Sequence, residues 1–219
     1  MALQRRKPYL TPQEYLAQER QAETKSEYWR GEVYAMTGAS RQHNLVVFNL
    51  AATLGPQLKR RPCEAYASDM RVKVARANLY TYPDVTVVCC KAEFEDLELD
   101  TLLNPTVIIE VLSPSTEAYD RSEKFGFYRG LESLSDYLLI AQSQPVIEHY
   151  TRQPDGAWRL ATYQGLEAVA IIASSGCELR LADVYDKVEW PAAEARPPRL
   201  RMVKEAGEEY AIARRPGMA

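Results

Sequence analysis

The chain has 219 residues, 46% of them hydrophobic and 26% charged, which suits one globular domain with a sizeable core and argues against a disulfide-stapled scaffold. No apolar run is long enough to span a bilayer, and Arg5-Arg6-Lys7-Pro8 lacks the apolar core of a signal peptide, so the expected location is the cytoplasm, with no membrane partner. A net charge of -3 argues against a generic polyanion binder, whose affinity comes from neutralised phosphates.

Thr11-Pro12 reads as an N-cap followed by proline at the first helical position, opening a helix to about Lys25. Ser26 to Thr37 predicts a hairpin turning at Arg30-Gly31, with Glu32, Tyr34 and Met36 on one face. Ser40 predicts the cap of a helix to about Lys59, with Val47, Leu50, Leu54 and Leu58 as its buried stripe. His43 falls in the first turn, where free N–H groups and the helix dipole favour an anion. It either meets a phosphate or a metal-bound water, or simply helps to satisfy the helix end. Lys59-Arg60-Arg61 complements the dipole at the other end. A strand over Glu64 to Val74 follows, alternating Met70, Val72 and Val74 with Asp69, Arg71 and Lys73; its charged face is a candidate groove lining.

Two runs, Tyr82 to Val88 and Thr106 to Ser113, are apolar and β-branched enough for buried central strands, yet each carries one carboxylate, Asp84 or Glu110. The acidic connection between them, Lys91 to Asn104, is expected to be exposed. Alternation puts Glu110 and Leu112 on one face of the second strand. After the break at Ser113-Pro114-Ser115-Thr116 a helix to about Gly130 brings Asp120, Lys124 and Tyr128 onto one side. The Asp120 and Lys124 spacing is also that of an ordinary surface ion pair. A strand over Ser135 to Gln142, a hairpin closing at Pro154-Asp155-Gly156, two short strands and a helical turn at Ala182 to Val188 complete a single domain over residues 1–189. Residues 190–219, rich in proline and charge, form a tail that is either mobile or docked on a partner subunit. The four cysteines, Cys63, Cys89, Cys90 and Cys177, lack metal-type spacing and are expected as buried thiols.

A lone acid in a buried strand is costly to desolvate without a partner, and two acids side by side invite a divalent cation. A metal site at Asp84 and Glu110 is therefore the first functional expectation. The alternative is that arginines such as Arg71 or Arg121 neutralise both acids in a structural oligomer.

The order Pro83-Asp84, then Glu110 with a third position two residues on, resembles the PD-(D/E)xK nuclease superfamily, whose last residue is usually lysine. Here that position is Leu112, and Lys124 on the next helix is the candidate replacement. The fuller set, Leu10-Thr11-Pro12 to Leu16, Gly31-Glu32-Val33-Tyr34-Ala35-Met36, His43, Pro83-Asp84-Val85, Glu110 to Thr116, then Asp120, Lys124 and Tyr128, resembles the Uma-two family of restriction endonucleases. The resemblance runs from about Tyr9 to about Val188. It implies an α/β (α+β) fold with a restriction-endonuclease-like α-β-β-β-α-β core and a mixed sheet flanked by helices. It also implies a metal-dependent endonuclease acting on nucleic acid, DNA before RNA, as a homodimer. Mg2+ or Mn2+ would be held by Asp84, Glu110 and the Val111 carbonyl, with Lys124 at the attacking water and Glu32 and His43 as further site residues. A module on the same scaffold that binds nucleic acid without cutting it remains the alternative.

Overall fold

The structure, a computed structural model, describes residues 9–190. Apart from Trp190, the tail expected over 190–219 lies outside the described residues. Helix α1 (Pro12–Glu19) opens on a capping box: Thr11 Oγ1 accepts from the Glu14 amide at 3.3 Å and the Thr11 amide donates to the Glu14 carboxylate at 2.8 Å. It stops six residues before Lys25, because the residues beyond Glu19 offer no apolar side larger than Ala22 to bury. The Glu19 carboxylate instead accepts from the Ser26 amide, and Arg20 leaves the helix end for Asp96 and Asp100.

Strands β1 (Ser26–Trp29) and β2 (Glu32–Ala35) form the expected hairpin. Arg30 and Gly31 both take positive φ, 48° and 92°, as a two-residue hairpin turn of matching twist requires. Helix α2 (Arg41–Leu58) is capped by Ser40 and buries Val46, Leu50, Leu54 and Leu58, so Val46 rather than Val47 leads the stripe. Next come β3 (Glu64–Ala67), β4 (Arg71–Val74), a 3-10 turn (Ala75–Ala77), β5 (Leu79–Thr81), β6 (Val85–Val88), β7 (Thr101–Leu102) and β8 (Val107–Leu112). A composite helix then runs from Glu117–Tyr119 through a π-helical turn, Asp120–Lys124, to Phe125–Tyr128. The chain closes with β9 (Asp136–Ala141), β10 (Val146–Arg152), β11 (Trp158–Gln164), β12 (Val169–Ile172), β13 (Cys177–Arg180) and a helical turn, Leu181–Val184.

The strands make a five-stranded sheet in the order β2-β1-β5-β4-β7, a six-stranded sheet in the order β11-β10-β9-β8-β6-β3, and the β12-β13 pair. In the six-stranded sheet β8 and β9 run parallel and the remaining pairs antiparallel. A parallel neighbour needs a crossover, and the composite helix supplies it. One apolar core joins Val72, Val74, Leu79 and Leu102 of the smaller sheet to Ile108, Leu112, Tyr137 and Leu139 of the larger, with Tyr128 of the composite helix. Helix α2 packs against β3, β6 and β8 of the larger sheet and against β13. No helix among the described residues is long and apolar enough to cross a membrane.

Four expectations are corrected here. The strand over Glu64 to Val74 is two strands in different sheets, because the chain turns at Ser68 (φ 49°), whose amide donates to the Asp84 carbonyl at 2.9 Å. The charged side of β4 is covered rather than lining a groove: Arg71 is buried on Thr101, Tyr82 and Asp100, and Lys73 pairs with Glu95. The acidic connection is therefore exposed only in part, since Asp100 and Glu95 turn inward to these cations and Thr101–Leu102 joins the sheet. Finally, Cys63 and Cys89 lie one step beyond the Glu64↔Val88 pair of β3 and β6, which brings their side chains together as a disulfide. Cys90 is exposed, and only Cys177 is a buried thiol.

Candidate active site

Asp84 sits where the chain crosses from β5 in one sheet to β6 in the other. The register Val85↔Ile109 sets it abreast of Glu110. Its Oδ2 accepts from the Val111 amide at 2.7 Å, and its Oδ1 lies 3.2 Å from Nε2 of His43. His43 reaches it from the first turn of α2, where its amide donates to Ser40 Oγ at 3.0 Å. The group that the His43 side chain meets is thus a carboxylate. Nδ1 of His43 is buried with no hydrogen-bond partner among the described residues.

Glu110 is only 4% exposed, in a strand whose six residues are all buried. The Tyr128 hydroxyl donates to its Oε1 at 2.8 Å, and Lys124 Nζ stands 3.0 Å from the same oxygen. Burial pushes the Glu110 carboxyl up to about 8 against the pull of Lys124, with Asp120 and Asp84 adding to the rise. Lys124, 6% exposed, is also 3.3 Å from Glu27 and 3.7 Å from Asp120. Burial pulls its pKa down, but Glu110, Glu27 and Asp120 together outweigh that and hold it well above the usual lysine value.

The π-helical turn carries both Asp120 and Lys124, and turns of this kind recur at functional sites. With Asp120 and Lys124 both buried, the surface ion pair is excluded. Leu112 lies in the core, so the cation at this strand end comes from the helix. Arg71 pairs with Asp100, and Arg121 with Glu117 and Glu148; neither neutralises Asp84 or Glu110.

Glu32 is exposed on β2, accepts from the Tyr34 hydroxyl at 2.8 Å, and does not line the cleft. Its neighbour across the turn does: Glu27 of β1, opposite Tyr34, reaches Lys124. Sequence reasoning missed Glu27. The one local signal was a carboxylate beside the buried Tyr28, and the side to which it points depends on the distant strand β5.

Glu27, His43, Glu110, Asp120 and Lys124 line a cleft of about 1030 Å³, and Asp84 stands behind its wall beside Glu110. Glu23, Glu27, Asp69, Glu110 and Asp120 line it against Lys25 and Lys124, and Lys25 is tied to Asp69 at 2.8 Å. Among the described residues no three His, Cys, Asp or Glu side chains are grouped to hold a metal. Two carboxylates and a main-chain carbonyl nevertheless suit Mg2+, which takes few protein oxygens and keeps several waters. The acid excess of the cleft fits such a cation.

Comparison with known proteins bears on the fold and the family. A crystal structure described as a "putative nuclease belonging to DUF820" from Anabaena variabilis has the same fold, with a TM-score of 0.63 and 18% identity over 80% of this chain and 97% of that one. Two proteins of Synechocystis, named as uncharacterized proteins sll1609 and slr1290, are 42% and 36% identical. The first alignment covers 73% of this chain and 90% of the relative, and the second covers 75% and 85%. Residues 12–182 match the family described as "Uma2: Putative restriction endonuclease", and the chain belongs to that family.

Proposed function

We propose that this protein is a metal-dependent endonuclease that hydrolyses phosphodiester bonds of nucleic acid, DNA in the first place, on a restriction-endonuclease-like core. The order α2, β3, β6, β8, composite helix, β9 supports that core, being α-β-β-β-α-β within one mixed sheet. The observation that carries the reading is Lys124 Nζ at 3.0 Å from Glu110, with Asp84 abreast on the neighbouring strand. Glu110 and Lys124 thus meet at the cleft wall, with Asp84 beside Glu110 on the neighbouring strand.

Asp84, Glu110 and the Val111 carbonyl would hold Mg2+ or Mn2+. Such an ion supplies Lewis-acid activation of water and screening of the phosphate charge. Lys124, kept as an ammonium by three carboxylates, orients the attacking water and stabilises charge building on the phosphate oxygens. Tyr128 fixes the Glu110 carboxyl through Oε1. His43 and the Val111 amide fix Asp84 from two sides. A homodimer, with one site for each strand of a duplex, completes the reading.

The test is incubation of the purified protein with supercoiled, linear and single-stranded DNA, with Mg2+, with Mn2+, and with chelator. Cutting that needs the metal is the expected result. Binding without cutting would turn the reading toward a non-catalytic module, and neither binding nor cutting would remove nucleic acid as the partner.

A further inference from the structure

Lys124 has three N–H donors and faces three carboxylates, and these come from different layers. Glu110 stands on β8 and Asp120 on the lysine's own helix, one turn earlier. Glu27 comes from β1, in the other large sheet. The register Tyr28↔Tyr80 between β1 and β5 sets Thr81 abreast of Glu27, and the fully buried Thr81 hydroxyl donates to Glu27 Oε1. That same oxygen is the one 3.3 Å from Lys124 Nζ. The five-stranded sheet thus reaches the cleft through a carboxylate whose own direction is fixed by a strand neighbour.

We propose that Glu27 is the positioning residue for Lys124, holding the ammonium from the opposite sheet so that it stays at Glu110. A lysine on a flexible four-carbon stem is a mobile point charge, and what it can do for a reacting phosphate depends on where its nitrogen is held. Asp120 shares the helix and moves with it, so it cannot fix Lys124 relative to β8. Glu27 can, because Thr81 anchors it to a separate sheet. The proposal rests on Lys124 acting at the phosphodiester site described above, and its test separates the two.

The experiment uses the full chain with Glu27→Gln, Lys124→Met, their double variant and Thr81→Val. Thermal unfolding of the first three gives a double-mutant cycle that needs no activity. The expected result is that the Tm losses do not add, the double variant losing less than the sum of the singles; additive losses would overturn the proposal. Cleavage and Mn2+ titration then separate positioning from other roles. For Glu27→Gln the expected outcome is a fall in kcat of about 100-fold with KM for DNA and Mn2+ affinity unchanged, and a smaller fall in kcat for Thr81→Val. An unchanged kcat overturns the proposal, as does a loss of Mn2+ affinity in Glu27→Gln, which would make Glu27 a ligand. If the wild-type protein does not cleave at all, the endonuclease reading fails, and the unfolding cycle alone decides whether Glu27 holds Lys124.

Discussion

Two buried cations sit among acids and tyrosines in this protein, and their surroundings differ in one respect. Arg71, in the five-stranded sheet, bonds Thr101 and the Tyr82 hydroxyl and pairs with Asp100 at 2.8 Å, while Arg20 takes Asp100 from the other side. There the charges balance, and Arg20 first, then Arg71, hold the Asp100 carboxyl well below the usual carboxylate range. Lys124 faces Glu110, Glu27 and Asp120 with Asp84 close behind, and burial drives the Glu110 and Asp120 carboxyls up. Arginines lower the pKa of Asp100, whereas burial, with neighbouring acids adding to it, raises those of Glu110 and Asp120. Perturbation of the second kind, in a cleft, makes these residues candidates for chemistry.

The comparison can be broken at either end. The largest effect is expected for Glu110→Ala, which should lower metal-dependent cleavage by about 1000-fold while the protein stays folded by circular dichroism. Arg71→Met should do the reverse, costing about 2 to 3 kcal/mol in urea unfolding through lost charged hydrogen bonds, with the kcat of the folded protein retained. The pH dependence of stability sharpens the contrast, because the two acids shift in opposite directions. Glu110 is raised from 4.5 to about 8, so in chelator its contribution is fully present below pH 4.5 and is lost as the pH rises toward 8. Asp100 is lowered, so its contribution is present above its ordinary value of 3.8 and lost as the pH falls below it. Unfolding followed against pH should therefore lose its decline between pH 4.5 and 8 in Glu110→Gln, and part of its acid limb in Asp100→Asn. The smallest effect is expected for Glu32→Gln: an exposed carboxylate bonded to Tyr34 should change kcat by no more than about twofold, against the large fall in Glu27→Gln.

The parts of this arrangement that local chemistry dictates could be read directly from the chain. The hairpin at Arg30-Gly31, the Ser40 cap and the acid in mid-strand at Glu110 each follow from a few adjacent residues. Lys124 was legible because a helix repeat sets it beside Asp120 and Tyr128, and Leu112 left the strand end without a cation. What could not be read depended on pairing between distant segments. Ser68 breaks a run that alternates as one strand should, and only the two sheets show why. The Cys63 and Cys89 bond joins positions 26 residues apart through the register of β3 with β6. Glu27 needed β5, some fifty residues on, to orient it, and Glu32 on the same hairpin carried the family pattern instead.

The most direct test is the rate at which supercoiled plasmid is nicked in Mn2+ by the wild-type protein, Asp84→Ala and Lys124→Met, measured side by side. Nicking by the wild type that vanishes in chelator and in both variants is the predicted result. Nicking that persists in chelator, or in either variant at the wild-type rate, would contradict a single centre built from Asp84, Glu110 and Lys124.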